Sequence, residues 1–314
     1  MKTLVIFGPT GSGKTELLKY LFTGSKKICD AEIISADSMQ VYKGLDIGTA
    51  KPDAEYCAEL PHHLISIKEP NEQFNAGDFA RMAKQIASEI TARGALPVVS
   101  GGTGFYLKTL IEGLPPVPPA DLLIRAELKA ALKKYGAESL IAELKQCDPI
   151  SAARINVNDQ YRVLRALEVF RLSGKPLSSF AVKHDSEAGS RHNKFLLYGI
   201  ERERTDLYDR INKRCALMFK EGLAEEVAAL FNKGFTPDDP ALKAIGYREF
   251  FTKNENDKWK LVPYSNDTLT AVQDLVAQNS RRYAKRQITW FKKVENVRWL
   301  NPTEFFADLH NLYT

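Results

Sequence analysis

The sequence predicts an α/β protein: a parallel sheet core interrupted by an all-helical insertion. Three observations lead there. Short apolar runs alternate with stretches of helical period through the first 114 residues, as in strands and helices wound into one sheet. A glycine-rich loop joins the first run to the first helical stretch. A proline cluster, Leu114-Pro-Pro-Val-Pro-Pro-Ala120, then opens a long stretch with no strand pattern.

Leu4-Val5-Ile6-Phe7, closed by Gly-Pro, reads as a buried strand. Glu16 to Phe22 carries apolar residues at 17, 18, 21 and 22, a helix period. Ile33-Ile34 before Ser-Ala-Asp is a second strand, and Phe79 to Arg93 an amphipathic helix ended by Gly94. Leu96 to Val99 is a third strand running into Gly101-Gly102, and Phe105 to Ile111 a helix. Four prolines within five residues cannot continue a helix or a central strand. From Asp121 to about Leu172 the period is helical, with breaks at Gly136 and Asp148-Pro149. Residues 183–194 form a polar loop, and Phe195 to Ile200 reads as a strand returning to the sheet. Helices follow at about 206–232 and 268–293, with a loop around Asn254–Asp257. The expected domains are therefore a core of residues 1–114 and 196–314 and a helical insertion of residues 115–195.

Composition narrows the class. At 314 residues, 44% hydrophobic and 26% charged, the chain is neither disordered nor fibrous. Its apolar runs fall far short of the roughly 20 residues a membrane helix needs, so no membrane association is expected. Cys29, Cys57, Cys147 and Cys215 form no CxxC pair, which points to a reducing cytoplasm and no zinc site. The net charge of +5 is uneven: −1 over residues 1–114, +4 over 115–195 and +2 over 196–314. A basic excess outside the N-terminal third hints at a polyanionic partner.

The strongest motif is Gly8-Pro9-Thr10-Gly11-Ser12-Gly13-Lys14-Thr15, which fits G-x-x-x-x-G-K-[ST] between a strand and a helix. Its glycines let backbone N–H groups turn toward phosphate oxygens, the helix start adds partial positive charge, and Lys14 a full one. The Thr15 hydroxyl is placed to ligate Mg²⁺. Asp37 follows the second strand, at the sheet edge where ligands bind. It suits a magnesium ligand, a base, or a helix N-cap. Arg210 and Arg214, one turn apart, are candidates to reach a diphosphate. Arg282, Lys285, Arg286, Thr289 and Lys293 share one helix face, with Tyr283, Trp290 and Phe291 interleaved, a pattern suited to a phosphate backbone. Arg162 and Arg165 form a second basic pair. His62-His63 lacks a third ligand at suitable spacing and reads as structural.

Beyond these motifs the chain resembles the tRNA dimethylallyltransferases (isopentenyl-tRNA transferases). The resemblance rests on residues 8–15, the Asp37–Pro52 run, His62-His63-Leu64, Gly101–Leu110, Arg154–Val169, Ala244–Tyr247 and Tyr283–Phe291, in that order along the chain. It implies a P-loop NTPase-like core with an insertion that grips the anticodon stem-loop. It implies transfer of a dimethylallyl group from dimethylallyl diphosphate to N6 of adenosine 37 in tRNA, with Mg²⁺ required. Carried over by position, Asp37, Thr10 and Thr103 are catalytic candidates. Asp37, Ser38, Met39, Gln40, Thr103, Tyr161, Arg162, Val163, Leu164 and Arg165 are tRNA contacts, joined by Lys285 and Arg286 from the basic face. Two positions depart from the family pattern: Gln160-Tyr161-Arg162 stands where the family has x-Gln-Arg, and Lys43 stands for Arg. A monomer is expected.

Two alternatives remain on the residues alone. A nucleotide or metabolite kinase, ATP-binding, explains the first 114 residues but not the basic-aromatic helix. A nucleic-acid-binding NTPase is disfavoured because Leu96–Val99 runs into Ser100-Gly-Gly without a carboxylate.

Overall fold

Six parallel strands carry the larger part of the chain. In the computed structural model, which describes residues 2–25, 27–180 and 194–313, these are β1 (Thr3–Phe7), β2 (Ala31–Ser35), β3 (His62–His63), β4 (Leu96–Gly101), β5 (Phe195–Ile200) and β8 (Arg298–Leu300). They lie in the order β3-β2-β4-β1-β5-β8. Leu4 sits between Val98 on one side and Leu196 on the other, so β1 is central. Leu4, Val5 and Ile6 are fully buried, as strands covered on both faces must be, and this is why they read as continuous apolar runs.

Two compact units divide the chain: Met1–Glu112 with Gly189–Thr314, and Gly113–Ala188. In the first, α3 (Ala76–Ala92) and α4 (Gly104–Glu112) cover one sheet face with Phe79, Leu107 and Leu110. On the other face, α1 (Lys14–Phe22) and α11 (Pro302–Tyr313) contribute Leu17, Leu21, Phe305 and Leu309. The short α2 (Ala54–Glu59) is capped by Asp53, whose side chain accepts from Tyr56 N. A third core gathers α8 (Arg204–Lys220), α9 (Leu223–Asn232) and α10 (Asn266–Phe291) around Leu207, Ile211, Val227, Tyr247 and Val276.

The second unit is helical: α5 (Leu122–Cys147), α6 (Pro149–Arg154) and α7 (Gln160–Ser173). Gly136 breaks α5 with φ 80° and ψ 170°, and Asp148 caps α6 ahead of Pro149, at the two interruptions the sequence marks. Leu128, Leu144, Val163 and Leu167 form its core. Glu168, fully buried there, accepts from Asp121 N at 2.8 Å and pairs with Arg125 at 3.0 Å and Arg165 at 2.7 Å.

Several expectations need correction. The single helix at 206–232 is two, because Gly222 takes φ 100° between α8 and α9. The loop expected at 254–257 is present, but it is the turn of a small antiparallel hairpin, β6 (Phe251–Lys253) with β7 (Trp259–Leu261), whose strands are too short to announce themselves. The edge strands β3 and β8 likewise have only two and three residues. The polar loop at 183–193 lies outside the described residues.

Candidate active site

The carboxyl ends of β1, β2 and β4 place the glycine loop, Asp37 and the Gly101–Thr103 turn side by side. That convergence follows from the parallel sheet, whose successive strands all end at one edge. Gly11 and Gly13 adopt φ 78° and 95°, left-handed values that favour glycine, and Gly13 caps α1. The first N–H groups of α1, from Lys14 and Thr15 onward, have no partner within the helix and point out of its start. Lys14 Nζ donates to the loop's own Gly8 O and Pro9 O, each at 2.9 Å. Ser12 is fully buried: its N–H donates to Pro9 O at 3.2 Å, its carbonyl accepts from Arg202, and its Oγ has no partner among the described residues. Thr15 lies exposed in the first turn of α1.

Three arginines of the β5–α8 segment meet this loop. Arg202 Nε donates to Ser12 O at 2.8 Å. Arg210 Nε donates to Gly11 O at 2.9 Å, and its Nη2 pairs with Glu16 at 2.6 Å. Arg214 Nη1 donates to Thr10 Oγ1 at 3.4 Å and Nη2 to Thr49 O at 3.3 Å. The two arginines expected at the diphosphate thus differ in placement: Arg214 lines the adjoining cavity, whereas Arg210 braces the outside of the loop.

That cavity holds about 320 Å³. Thr10, Asp37, Arg214, Tyr283 and Arg286 give it a polar side, and Ile211, Met218 and Val276 an apolar wall. Asp37 Oδ1 accepts from Met39 N at 2.8 Å and Gln40 N at 3.3 Å, while its other oxygen has no hydrogen-bond partner among the described residues. Thr103 Oγ1 accepts from Ser38 N at 3.0 Å and donates to Ser38 Oγ at 3.3 Å. Ser38 and Met39 line the cavity. Gln40 is turned away: its amide donates to Thr49 O and Ala50 O and its carbonyl accepts from Ser35 Oγ.

Charge crowding shapes the groups here. Burial, and then Arg214, lower Lys14 to about 8, with Asp37 opposing. Burial also lowers Arg214 against the pull of Asp37. Burial, then Asp37, push Tyr283 up to about 12, so its hydroxyl stays protonated.

Gln287 is the residue sequence reasoning missed here. Buried on α10, it accepts from Thr10 N at 2.9 Å and donates to Gly102 O at 2.8 Å, tying the ends of β1 and β4 together. Its place within the Tyr283–Phe291 block was the available signal. Arg202 was missed as well.

The basic face of α10 forms an open groove of about 480 Å³, lined by Arg282, Lys285, Arg286, Thr289, Trp290 and Lys293. Lys285 and Arg286 are exposed. Arg281 is engaged with Asn212 and Arg298 with Asp308, so the stripe is narrower than its composition suggests. Phe291 is fully buried, 4.9 Å from the Phe7 ring. In the helical unit Tyr161 is 69% exposed with Arg125 over its ring. Arg162 is exposed beside Asp159, and Leu164 is partly buried. Val163 is a core residue, so its side chain is not on the surface, and Arg165 is committed to Glu168 and Pro118 O. His62 Nδ1 bonds Leu60 O, and His63 Nε2 bonds Glu32, which Arg93 also holds.

The profile of the IPP transferase family matches residues 40–294. The chain belongs to that family. It is 46% identical over 307 residues to the tRNA dimethylallyltransferase of Geobacter sulfurreducens, covering 97% of this chain and 93% of that protein. To the tRNA dimethylallyltransferase of Acetivibrio thermocellus it is 41% identical, covering 97% and 93%. Among solved structures, a full-length tRNA isopentenylpyrophosphate transferase from Bacillus halodurans superposes with a TM-score of 0.64 at 38% identity, covering 99% and 95%. A eukaryotic dimethylallyltransferase acting on tRNA gives 0.74 at 25% identity, covering 96% and 74%. As an IPP transferase the chain is a prenyltransferase enzyme, and the kinase reading is not favoured. No helix among the described residues is long and apolar enough to cross a membrane.

Proposed function

We propose that this chain transfers a dimethylallyl group from dimethylallyl diphosphate to N6 of adenosine 37 in tRNA and releases diphosphate. The observation that carries this reading is one cavity, beside the phosphate loop and lined by its Thr10, that combines Arg214, the Asp37 carboxylate and an apolar wall. The apolar wall beside the phosphate loop suits the hydrocarbon chain of an allylic donor.

The residues divide the work by chemistry. The amides opening α1, Lys14 and Arg214 hold the diphosphate and absorb the charge that grows on it as the allylic C1–O bond breaks. The bond's electron pair leaves with the bridging oxygen, beside Thr10. Adenine N6 is a poor nucleophile and is unreachable while stacked, so the base must be splayed into the cavity. As N6 bonds to C1, its proton passes to the free oxygen of Asp37. Tyr283 and Ser38 line the cavity with Asp37, and Thr103 holds Ser38 in place. Lys285 and Arg286 suit tRNA phosphates, and Tyr161 suits a stacked base of the anticodon stem-loop.

Magnesium fits this donor set. It binds through few protein oxygens when phosphates and water supply the rest, and the exposed Thr15 hydroxyl would hold it. When bound it adds positive charge on the diphosphate. The chain is expected to act as a monomer.

The test is mass analysis of nucleosides from unmodified tRNA incubated with the protein and dimethylallyl diphosphate. Dimethylallyladenosine supports the reading. Unchanged adenosine with ATP-dependent phosphorylation of a small acceptor refutes it.

A further inference from the structure

Glu226 sits on α9 and does not line the cavity, yet its carboxylate gathers four donors. Oε2 accepts from Asp46 N at 3.0 Å and Ile47 N at 2.8 Å. Oε1 accepts from Gly48 N at 3.2 Å and from Tyr247 Oη at 2.6 Å. Three consecutive backbone amides on one carboxylate hold a loop as a unit, because no single bond can shift without straining the others. Tyr247 is fully buried, and its ring approaches Gly48 so closely that a Cβ there would lie 2.5 Å from it. Lys51 pins the other side of the loop, donating to Tyr42 O at 2.7 Å, Asp46 Oδ1 at 2.6 Å and Ser66 Oγ at 2.9 Å.

The next residue of the held loop makes the link to chemistry. Thr49 O accepts from Arg214 Nη2, while the same guanidinium reaches Thr10 of the phosphate loop. A guanidinium is planar and its donors are fixed in direction, so the carbonyl on one nitrogen sets where the other points. We propose that Glu226 and Tyr247 are positioning residues for the diphosphate: they lock the 46–48 loop so that Thr49 O aims Arg214 into the cavity. This rests on the assignment of Arg214 to the donor diphosphate made above.

The test is a double-mutant cycle read by calorimetric binding of inorganic pyrophosphate with magnesium. Glutamine at 226 keeps the size but offers one carbonyl, and sets an N–H₂ group against donors. Glu226→Gln should weaken pyrophosphate binding about tenfold when Arg214 is present and less than about twofold in the Arg214→Ala background. Tyr247→Phe keeps the ring against Gly48 and removes one bond, and should show the same dependence on Arg214 at about threefold. tRNA affinity should be unchanged in both. An equal loss in the two backgrounds, or no loss with Arg214 present, overturns the proposal and leaves the transfer reading intact. Intact coupling in a protein that transfers no dimethylallyl group sustains the latch and sinks the transfer reading. A wild-type protein that takes no pyrophosphate overturns both.

Discussion

Replacing Asp37 with asparagine separates chemistry from shape at this site. The aspartate uses Oδ1 to cap the following turn, through Met39 N and Gln40 N. Asparagine retains a carbonyl for that role, so the turn and the cavity should persist. What disappears is the charge and the second oxygen's ability to take a proton. A positioned base contributes about 10²–10⁴-fold, which corresponds to roughly 2.7–5.4 kcal/mol of barrier. Single-turnover transfer at saturating donor and tRNA, followed by mass analysis, should therefore slow by that factor. Binding should move the other way. Asp37 is the group that pulls Lys14 and Arg214 toward their charged forms, and it is also an anion beside the donor's diphosphate. Its neutralisation should lower Lys14 further while leaving pyrophosphate affinity equal or tighter. A variant that transfers within about tenfold of wild type would refute the proton-accepting role. Loss of magnesium-dependent pyrophosphate binding would instead assign Asp37 to the metal.

Three further outcomes are expected. Because burial holds Lys14 near 8 in the free protein and a bound anion raises it, pyrophosphate affinity should be level below that pH. It should then fall by up to roughly tenfold per unit above it, with proton uptake on binding; calorimetry showing constant affinity from about pH 7 to 9 would contradict this. Gln287→Leu leaves Thr10 N and Gly102 O without partners in a buried setting, which should cost about 2–5 kcal/mol in urea unfolding and weaken donor binding, whereas a loss under about 1 kcal/mol would mean the bridge is dispensable. Lys285→Ala or Arg286→Ala should each reduce the log–log salt slope of tRNA binding by about one unit or less, and an unchanged slope would show that the groove does not touch phosphate.

Sequence alone determined the α/β class, the phosphate loop and the family, because each is written in local signals. Buried parallel strands must be continuously apolar, a phosphate loop must have glycines where φ is positive, and a helical unit must carry a helical period with breaks at Gly136 and Pro149. The seven separated blocks that carry the resemblance add a pattern no single local rule supplies. Tertiary structure decided the rest, since a side chain's task depends on what lies opposite it. Arg210 and Arg214 are indistinguishable as a pair one turn apart, yet one braces Gly11 O and Glu16 while the other faces the cavity. Val163 and Tyr161 stand two residues apart on α7, and only packing buries the first and exposes the second. The bonds from Gln287 to Thr10 and from Glu226 to Ile47 span 277 and 179 residues. A hydrogen bond acts over about 3 Å whatever the chain separation, so such partners become visible only once the sheet has brought its strand ends together.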